Sequence, residues 1–183
     1  MKIVYSCLLG LMLTSFSVNG QKSIYIVHKG LVKFVSDAPL EVIKASSTQI
    51  RGALDSGKRN FSFLIPSTSF IGFNSPLQQV HFYENYIEAQ KYPESRFIGK
   101  IIEQVDFNAD GDYQVRAKGI LTIHGVDQER IIRVKLHINK GDITASSEFS
   151  ILLKEYNITI PRVVYQKIAE EIKINVNLEM AQQ

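Results

Sequence analysis

Cysteine is almost absent from this chain of 183 residues: Cys7 is the only one, and it lies near the start of an apolar N-terminal segment. That segment begins with Lys2, continues through an apolar run that ends near Val18, and closes on small residues at Gly20, a pattern typical of a Sec-type secretory signal peptide. The run is shorter than the roughly 20 residues that span a bilayer. We therefore expect residues 1–20 to be cleaved near Gly20, leaving a periplasmic or secreted protein without a thiol. That excludes disulfides, Cys-ligated zinc and cysteine nucleophiles.

The chain also has no tryptophan, only 5 prolines and little excess charge. Its 21 Lys and Arg residues nearly balance its 18 Asp and Glu residues, and the net charge of +3 is too small for the basic surface that binds nucleic acid. No second long hydrophobic run follows the first, so we expect no membrane span after cleavage. With 45% hydrophobic residues, the remainder fits one globular domain over residues 21–183.

Apolar and polar residues alternate along much of the chain, which predicts strands with one dry face and one wet face. This patterning is typical of antiparallel sheets. The clearest alternation covers residues 60–65, 113–123, 132–138, 143–151 and 172–180, and weaker alternation covers 23–28, 32–36, 40–45 and 50–54. Clusters of Gly, Asn and Asp at 108–112 and 139–142 predict turns, and weaker turn signals lie at 28–30, 37–39 and 55–57.

This order of strands and turns predicts an all-β fold with sequential strands as neighbours. An up-and-down antiparallel sheet of about eight strands tends to close into a barrel, because closure removes the unpaired edges. A barrel of this size holds either packed side chains or one small ligand. A sandwich of two sheets is the alternative fold.

One segment breaks the alternation and predicts an amphipathic helix near one end of the barrel. Ser75 fits the N-cap, Pro76 the first helical position and Gln78 the third, and Pro93 marks the latest end, so we expect about 12 to 15 helical residues. Aromatic residues are dense in and around this helix: Phe70, Phe73, Phe82, Tyr83, Tyr86 and Tyr92. They either cork one end of the barrel or form the lid of an apolar ligand site.

Two motifs and the helix resemble a known family. The run Lys91–Phe97, KYPESRF, resembles the "yP-x-x-x-F" entry strand of the YceI-like family, and Gly119–Val126, GILTIHGV, resembles its "G-x-L-T-I-x-G-V" strand and turn. The helix that carries His81 and Phe82 lies where that family places a helix before the Tyr-Pro pair. Order and spacing match over about residues 24–180.

The resemblance implies a lipocalin-like barrel that is usually exported in bacteria and whose lumen holds a long apolar lipid of the polyisoprenoid or isoprenoid quinone type. It implies no catalytic apparatus and no cofactor, and a homodimer is left open. From the inward parity of the strands and the position of the helix, we expect the lipid to contact Phe34, Phe63, Phe73, Phe82, Tyr86, Phe97, Tyr113, Leu121, Val134 and Phe149.

Other chemistries have little support in the sequence. His81, Glu84 and Glu88 follow a helical spacing that could present one imidazole and two carboxylates to a metal, but a solvated helix flank explains them better. There is no G-x-S-x-G nucleophile motif, and His124 in a glycine-containing turn predicts a hydrogen-bonded structural role. Two alternatives remain open: a structural or protein-interaction barrel filled by its own side chains, and an enzyme or metal-dependent factor near His81.

Overall fold

The computed structural model describes residues 23–183, and the expected signal peptide lies outside these residues. The described part is mostly antiparallel strand. Within it the strands are β1 Ile24–Asp37, β2 Val42–Ser47, β3 Arg51–Asp55, β4 Asn60–Pro66, β5 Glu94–Ile101, β6 Gly111–Ile123, β7 Val126–Asn139, β8 Asp142–Leu152 and β9 Glu171–Gln182. A short helix, α1 Pro76–His81, continues as a π-helical turn, Phe82–Tyr86, and single 3-10 turns lie at Ser67–Ser69, Leu153–Tyr156 and Arg162–Val164.

The sheet closes into a barrel because the first and last strands pair. β1 pairs with β9 from Tyr25 to Ser36, while its other edge pairs first with β3 and then with β2. Strands β3 to β9 follow one another in sequence order around the wall. Eight strands, β1 and β3 to β9, therefore form the closed up-and-down antiparallel barrel that the alternation predicted. Strand β2 pairs with the later part of β1, on the same edge that β3 occupies at the start of β1.

The first strand corrects one predicted turn. Residues 28–30 are not a turn: β1 runs through them, and its register against β9 shifts between Val27 and Lys29, so that His28 is the extra residue of a bulge. A bulge keeps the chain in the sheet while increasing its local twist, which helps a barrel to close. Gly30 lies beside it, where a Cβ would overlap the side chain of Ile50 on the inside of the wall.

Two tight turns follow the predicted chemistry. The turn between β6 and β7 is formed by His124 and Gly125, with φ of +52° and +70°, and the turn between β7 and β8 by Lys140 and Gly141, with φ of +51° and +86°. Positive φ at both central residues gives the backbone twist that matches two antiparallel strands.

The interior of the barrel is solid at one end and hollow at the other. Strand β9 runs along this axis: Ile172, Ile174 and Val176 line a cavity, whereas Met180 is buried in a packed cluster. That cluster fills the end of the barrel opposite α1; its core members include Tyr25, Leu54, Phe61, Phe107, Val115, Leu136, Ile138 and Ile143. The hollow end, next to α1, positions the candidate site.

Candidate functional site

The hollow end contains a cavity of about 520 Å³ with a mostly apolar wall. This volume lies in the range of about 300–1,000 Å³ that is usual for small-molecule sites. Its wall includes the aromatic side chains Phe34, Phe63, Phe70, Phe73, Phe82, Tyr86, Phe97 and Phe149, together with aliphatic side chains of β1, β2, β4, β6, β8 and β9. The few polar groups lie on Ser36, Glu41, Ser75, Gln78, His81, Ser95, Arg96 and Lys167.

Most of the residues expected from the sequence line this cavity. They are Phe34, Phe63, Phe73, Phe82, Tyr86, Phe97, Leu121 and Phe149. The structure places Tyr113 and Val134 elsewhere: both pack against the cluster at the solid end. Both side chains face inward, as predicted. However, Tyr113 lies at the opposite end of β6 from Leu121, and Val134 pairs with Val115 in the same solid region.

An aromatic cluster from two parts of the chain covers one side of the cavity. The ring of Phe34 on β1 lies 5.3 Å from that of Phe82 and 5.4 Å from that of Phe70, and Phe73 lies 5.1 Å from Phe82. These separations are typical of interacting aromatic pairs. Because all of these rings also line the cavity, the aromatic residues around the helix belong to the wall of a hollow space. This arrangement supports the lid interpretation over the cork.

The helix is shorter than expected but begins at the predicted residue. Ser75 Oγ accepts a hydrogen bond from the backbone N–H of Gln78 at 3.2 Å, which caps the helix. Glu41, from the turn between β1 and β2, accepts bonds from the side-chain amides of Asn74 at 3.1 Å and Gln78 at 3.0 Å. This contact holds the start of α1 against the β1–β2 turn at the rim of the cavity.

We call residues 67–92, which carry α1, the strap. Its beginning is fixed to β2 by the buried hydroxyl pair Ser47–Ser69, whose oxygens are 2.6 Å apart, and its two ends are joined by a 2.7 Å bond from Ser67 Oγ to the Tyr92 carbonyl. Within the strap, Tyr83 donates to the Phe70 carbonyl at 2.6 Å. These bonds satisfy polar groups that the strap buries and fix its path across the cavity.

The end of the strap is joined to the β6–β7 turn by a histidine and a glutamate. His124 Nδ1 lies 2.9 Å from the Tyr156 carbonyl oxygen, and His124 Nε2 lies 2.6 Å from Glu88 Oε2. The ring of Tyr92 meets the His124 ring edge-on at 4.7 Å. His124 therefore has the hydrogen-bonded structural role expected from the sequence, and the two family-like motifs containing Tyr92 and His124 meet here.

The residues proposed for a metal site do not converge. His81 lines the cavity, while Glu88 turns away to His124. Residues 23–183 contain no group of three or more His, Cys, Asp or Glu side chains that could hold a metal ion.

Burial raises the pKa of the Tyr86 hydroxyl in the cavity wall, which favours its neutral form.

Sequence reasoning missed the contribution of the segment after β8. Ile158, Val164, Lys167 and Ile168 line the cavity, although residues 157–170 show neither strand nor helix periodicity. The signal was weak because an irregular segment gives no parity from which to infer an inward face. The cavity residues of β9, in contrast, alternate cleanly, and Ile172, Ile174 and Val176 could have been named from their parity.

None of the helices described in residues 23–183 is long and apolar enough to cross a membrane.

Comparison with known proteins identifies relatives of this barrel. The YceI-like domain family matches residues 28–180. No curated protein matches the chain. A structure of a polyisoprenoid-binding domain from Saccharophagus degradans, implicated in plant cell wall breakdown, is similar with a TM-score of 0.75 and 12% identity, over 87% of this chain and 98% of that one.

Two further solved structures share the fold. BcnA of Burkholderia cenocepacia has a TM-score of 0.67 and 19% identity, over 82% of this chain and 95% of that one. The YceI protein of Campylobacter jejuni has a TM-score of 0.56 and 15% identity, over 100% of this chain and 99% of that one. At these identities the likeness concerns the architecture alone.

Proposed function

The chain belongs to the YceI-like family, and from this premise we propose that it binds a long apolar lipid of the polyisoprenoid or isoprenoid quinone type in its cavity, as a non-catalytic carrier or reservoir. The observation that carries the proposal is the hollow end of the barrel, a space of about 520 Å³ walled by aromatic and aliphatic side chains. A similar barrel, the Saccharophagus degradans domain, is described as polyisoprenoid-binding.

The chemistry of the wall favours an apolar chain over a polar substrate. Transfer of hydrocarbon from water into such a wall contributes about 0.8 kcal/mol for each buried methylene, and it needs no charged anchor. The cavity of about 520 Å³ has the size of a site for a drug-sized molecule. A longer chain would therefore extend beyond the cavity. We place its exit, the mouth, between α1 and the segment after β8, because both contribute residues to the wall.

The alternative of an interaction barrel filled by its own side chains fits only the solid end. There Tyr113 and Val134 pack against the buried cluster, so the protein's own side chains occupy the interior. At the hollow end the aromatic rings of Phe34, Phe70 and Phe82 surround space without filling it. The enzyme alternative near His81 has less support than lipid binding, because most of the wall around His81 is apolar.

We also propose that the protein acts outside the cytoplasm, in the periplasm or after secretion. The support is the sequence of residues 1–20, in which Lys2 precedes an apolar run and small residues. An apolar chain shielded inside a barrel can cross an aqueous compartment, which gives this location a physical purpose. Expression of the full chain in a Gram-negative host, followed by fractionation and N-terminal sequencing, tests it: a mature form beginning near Gln21 in the cytoplasmic fraction, or an unprocessed chain, would contradict it.

The lipid itself is tested by native mass spectrometry of the protein purified from cells, followed by solvent extraction. We expect an adduct of one long-chain lipid per protein, lost after extraction and regained on addition of a polyprenol or a quinone. Val176→Trp places a bulky ring in the cavity wall and should abolish the adduct, whereas Ile131→Trp on the outer face of β7 should keep it. An apo mass that does not change on addition of either lipid would contradict the proposed function.

A further inference from the structure

Four exposed apolar side chains lie on three segments that also contribute residues to the cavity wall. Val163 is 90% exposed, Leu40 is 65% exposed, Leu77 is 62% exposed and Tyr165 is 59% exposed, and they come from three separate segments. Exposed aliphatic residues scattered singly need no explanation, but several at one opening mark an interaction surface. We call these four residues the apolar rim.

Backbone and side-chain contacts bring the three segments together at the mouth. The Leu40 N–H donates to the Gln166 carbonyl at 2.9 Å, which joins the β1–β2 turn to residues 162–168. Glu41, next to Leu40, accepts the amide bond from Gln78 on α1 at 3.0 Å. The rim residues are thus held on one side of the molecule by a hydrogen-bonded frame.

Residues 162–168 are apolar on both faces. Val164 and Ile168 point into the cavity and line it, whereas Val163 and Tyr165 point outward. Arg162, Gln166 and Lys167 are exposed as well, so the outer face of this segment combines apolar and cationic side chains. A face of this composition beside an apolar cavity is suited to contact with a partner.

The charges next to Val163 and Tyr165 are positive, whereas the Glu41 carboxylate beside Leu40 accepts bonds from the side-chain amides of Asn74 and Gln78. Arg162 and Lys167 flank the exposed Val163 and Tyr165, and residues 161–169 contain no Asp or Glu. Neither cation forms an ion pair within residues 23–183. Aliphatic residues, a tyrosine and flanking Lys and Arg are the composition found where proteins enter the boundary between lipid headgroups and acyl chains.

We propose that the apolar rim docks on the surface of an anionic phospholipid bilayer, with Val163 and Tyr165 entering the headgroup boundary and Arg162 and Lys167 contacting the lipid phosphates. This rests on the proposed function in one respect: the mouth is where a bound lipid would leave or enter the cavity. Docking mouth-first lets an apolar chain pass between bilayer and barrel without exposure to water.

A second copy of the chain is a less suitable occupant of the same surface. Mouth-to-mouth pairing would use the same patch on both copies, so the cations of residues 162–168 would be brought toward each other without acidic partners in that segment. It would also cover the mouth through which a lipid enters. Pairing of copies is therefore one of the outcomes that the test separates.

The test uses the protein expressed from its full chain and sedimented with vesicles of phosphatidylcholine alone or mixed with phosphatidylglycerol. We expect binding to the mixed vesicles that high salt weakens. The double change Val163→Ser with Tyr165→Ser should lower the partition coefficient about tenfold or more, because its apolar surface no longer enters the bilayer. The matched control, Ile120→Ser with Ile131→Ser on the outer barrel wall, should bind as the unchanged protein does.

A parallel measurement keeps docking and lipid binding apart. Val163 and Tyr165 do not line the cavity, so calorimetric titration with farnesol, a short isoprenoid alcohol, should give the same affinity for the double variant as for the unchanged protein. Absence of vesicle binding, or equal binding by the double variant, would overturn the docking proposal while farnesol binding upholds the proposed function. Vesicle binding without farnesol or polyprenol uptake would overturn the proposed function instead. A dimer that the double change dissociates, without vesicle binding, would assign the rim to a second copy and overturn docking.

Discussion

Glu88 Oε2 lies 2.6 Å from His124 Nε2 and joins the end of the strap to the turn between β6 and β7. Both residues have positive φ, +44° for Glu88 and +52° for His124, a backbone conformation that costs free energy for residues other than glycine. The other ring nitrogen of His124 is bound to the Tyr156 carbonyl. One imidazole thus connects three segments around the hollow end of the barrel, which predicts a large effect of its removal.

Replacing His124 should destabilise the protein. His124→Asn tolerates the positive φ but loses the bond to Glu88 and the packing on Tyr92, and we expect the free energy of unfolding to fall by about 1–3 kcal/mol. Urea unfolding measures this. The matched control is His137→Asn, whose 2.8 Å contact with Asp112 is exposed on both sides and should contribute less than about 1 kcal/mol. Equal losses of unfolding free energy in the two variants would show that the contacts of His124 stabilise the protein no more than the exposed contact of His137.

Gly125 should tolerate alanine less well than Gly141, although both have positive φ in tight turns. A Cβ on Gly125 would overlap the ring of Tyr92, whereas a Cβ on Gly141 has no heavy atom within 4 Å. We expect Gly141→Ala to cost about 1 kcal/mol from backbone strain, and Gly125→Ala to cost clearly more because the Tyr92 ring must also move. Thermal unfolding of the two variants compares them, and a smaller loss for Gly125→Ala would contradict the packing described.

Removing the hydroxyl of Tyr156 should not harm the fold. This side chain is 0% exposed, its Oη has no hydrogen-bond partner among residues 23–183, and burial raises the pKa of the hydroxyl. Because a buried hydroxyl without a partner costs free energy, Tyr156→Phe should leave stability unchanged or raise it by about 1 kcal/mol. Tyr83→Phe, which removes the 2.6 Å bond to the Phe70 carbonyl, should lower it instead. A loss of more than about 1 kcal/mol in Tyr156→Phe would reveal a partner, such as a buried water.

A tryptophan in the cavity wall should report lipid binding. The chain has no tryptophan, so Phe149→Trp introduces a single indole among the cavity residues. Addition of a polyprenol should shift its emission to shorter wavelength, because the lipid excludes water from the ring. Ile131→Trp on the exposed outer wall should show no shift, and an identical response in both variants would mean that the lipid binds the outside of the barrel.

The surface contact between Glu103 and Arg116 should depend on pH, because it lowers the pKa of the Glu103 carboxyl. The backbone N–H of Arg116, at 2.6 Å, and then its guanidinium hold the pKa of the Glu103 carboxyl below its usual value. The folded state thus favours the ionised form, so this contribution to stability is present above the unfolded pKa and is lost as the pH falls through the folded pKa. NMR titration should place the Glu103 pKa below that of an unfolded peptide. In Arg116→Ala it should rise only part of the way, because the backbone N–H remains; an unchanged value would show that the side chain has no influence.

Much of the fold could be predicted from local sequence pattern. Alternation identified the strands and their inward faces, as the course of β9 from Ile172 to Met180 illustrates, and Asn139–Asp142 carried the chemistry of a tight turn. Ser75 and Pro76 marked the start of α1. These features depend on neighbouring residues only, because side-chain parity, positive φ and helix capping are all set within a few positions of the chain.

The depth of each residue along the barrel was decided by the tertiary structure. Tyr113 and Leu121 share a strand and a face, yet Leu121 lines the cavity and Tyr113 fills the solid end, because depth depends on the register that closes β1 on β9. The bulge at His28, where the sequence had predicted a turn, belongs to the same closure. Alternation distinguishes inward from outward side chains but does not give their position along the barrel axis.

The sequence by itself thus determined an antiparallel barrel with an aromatic helix at one end, because those features follow from local patterns. Only the tertiary structure decided that this end is hollow, that Glu88 meets His124, and that Leu40 lies against the segment of Gln166. Each of these depends on contacts between segments far apart in the chain, such as the bond from Leu40 to Gln166. Such contacts have no period in the sequence, because they form only when the barrel has closed.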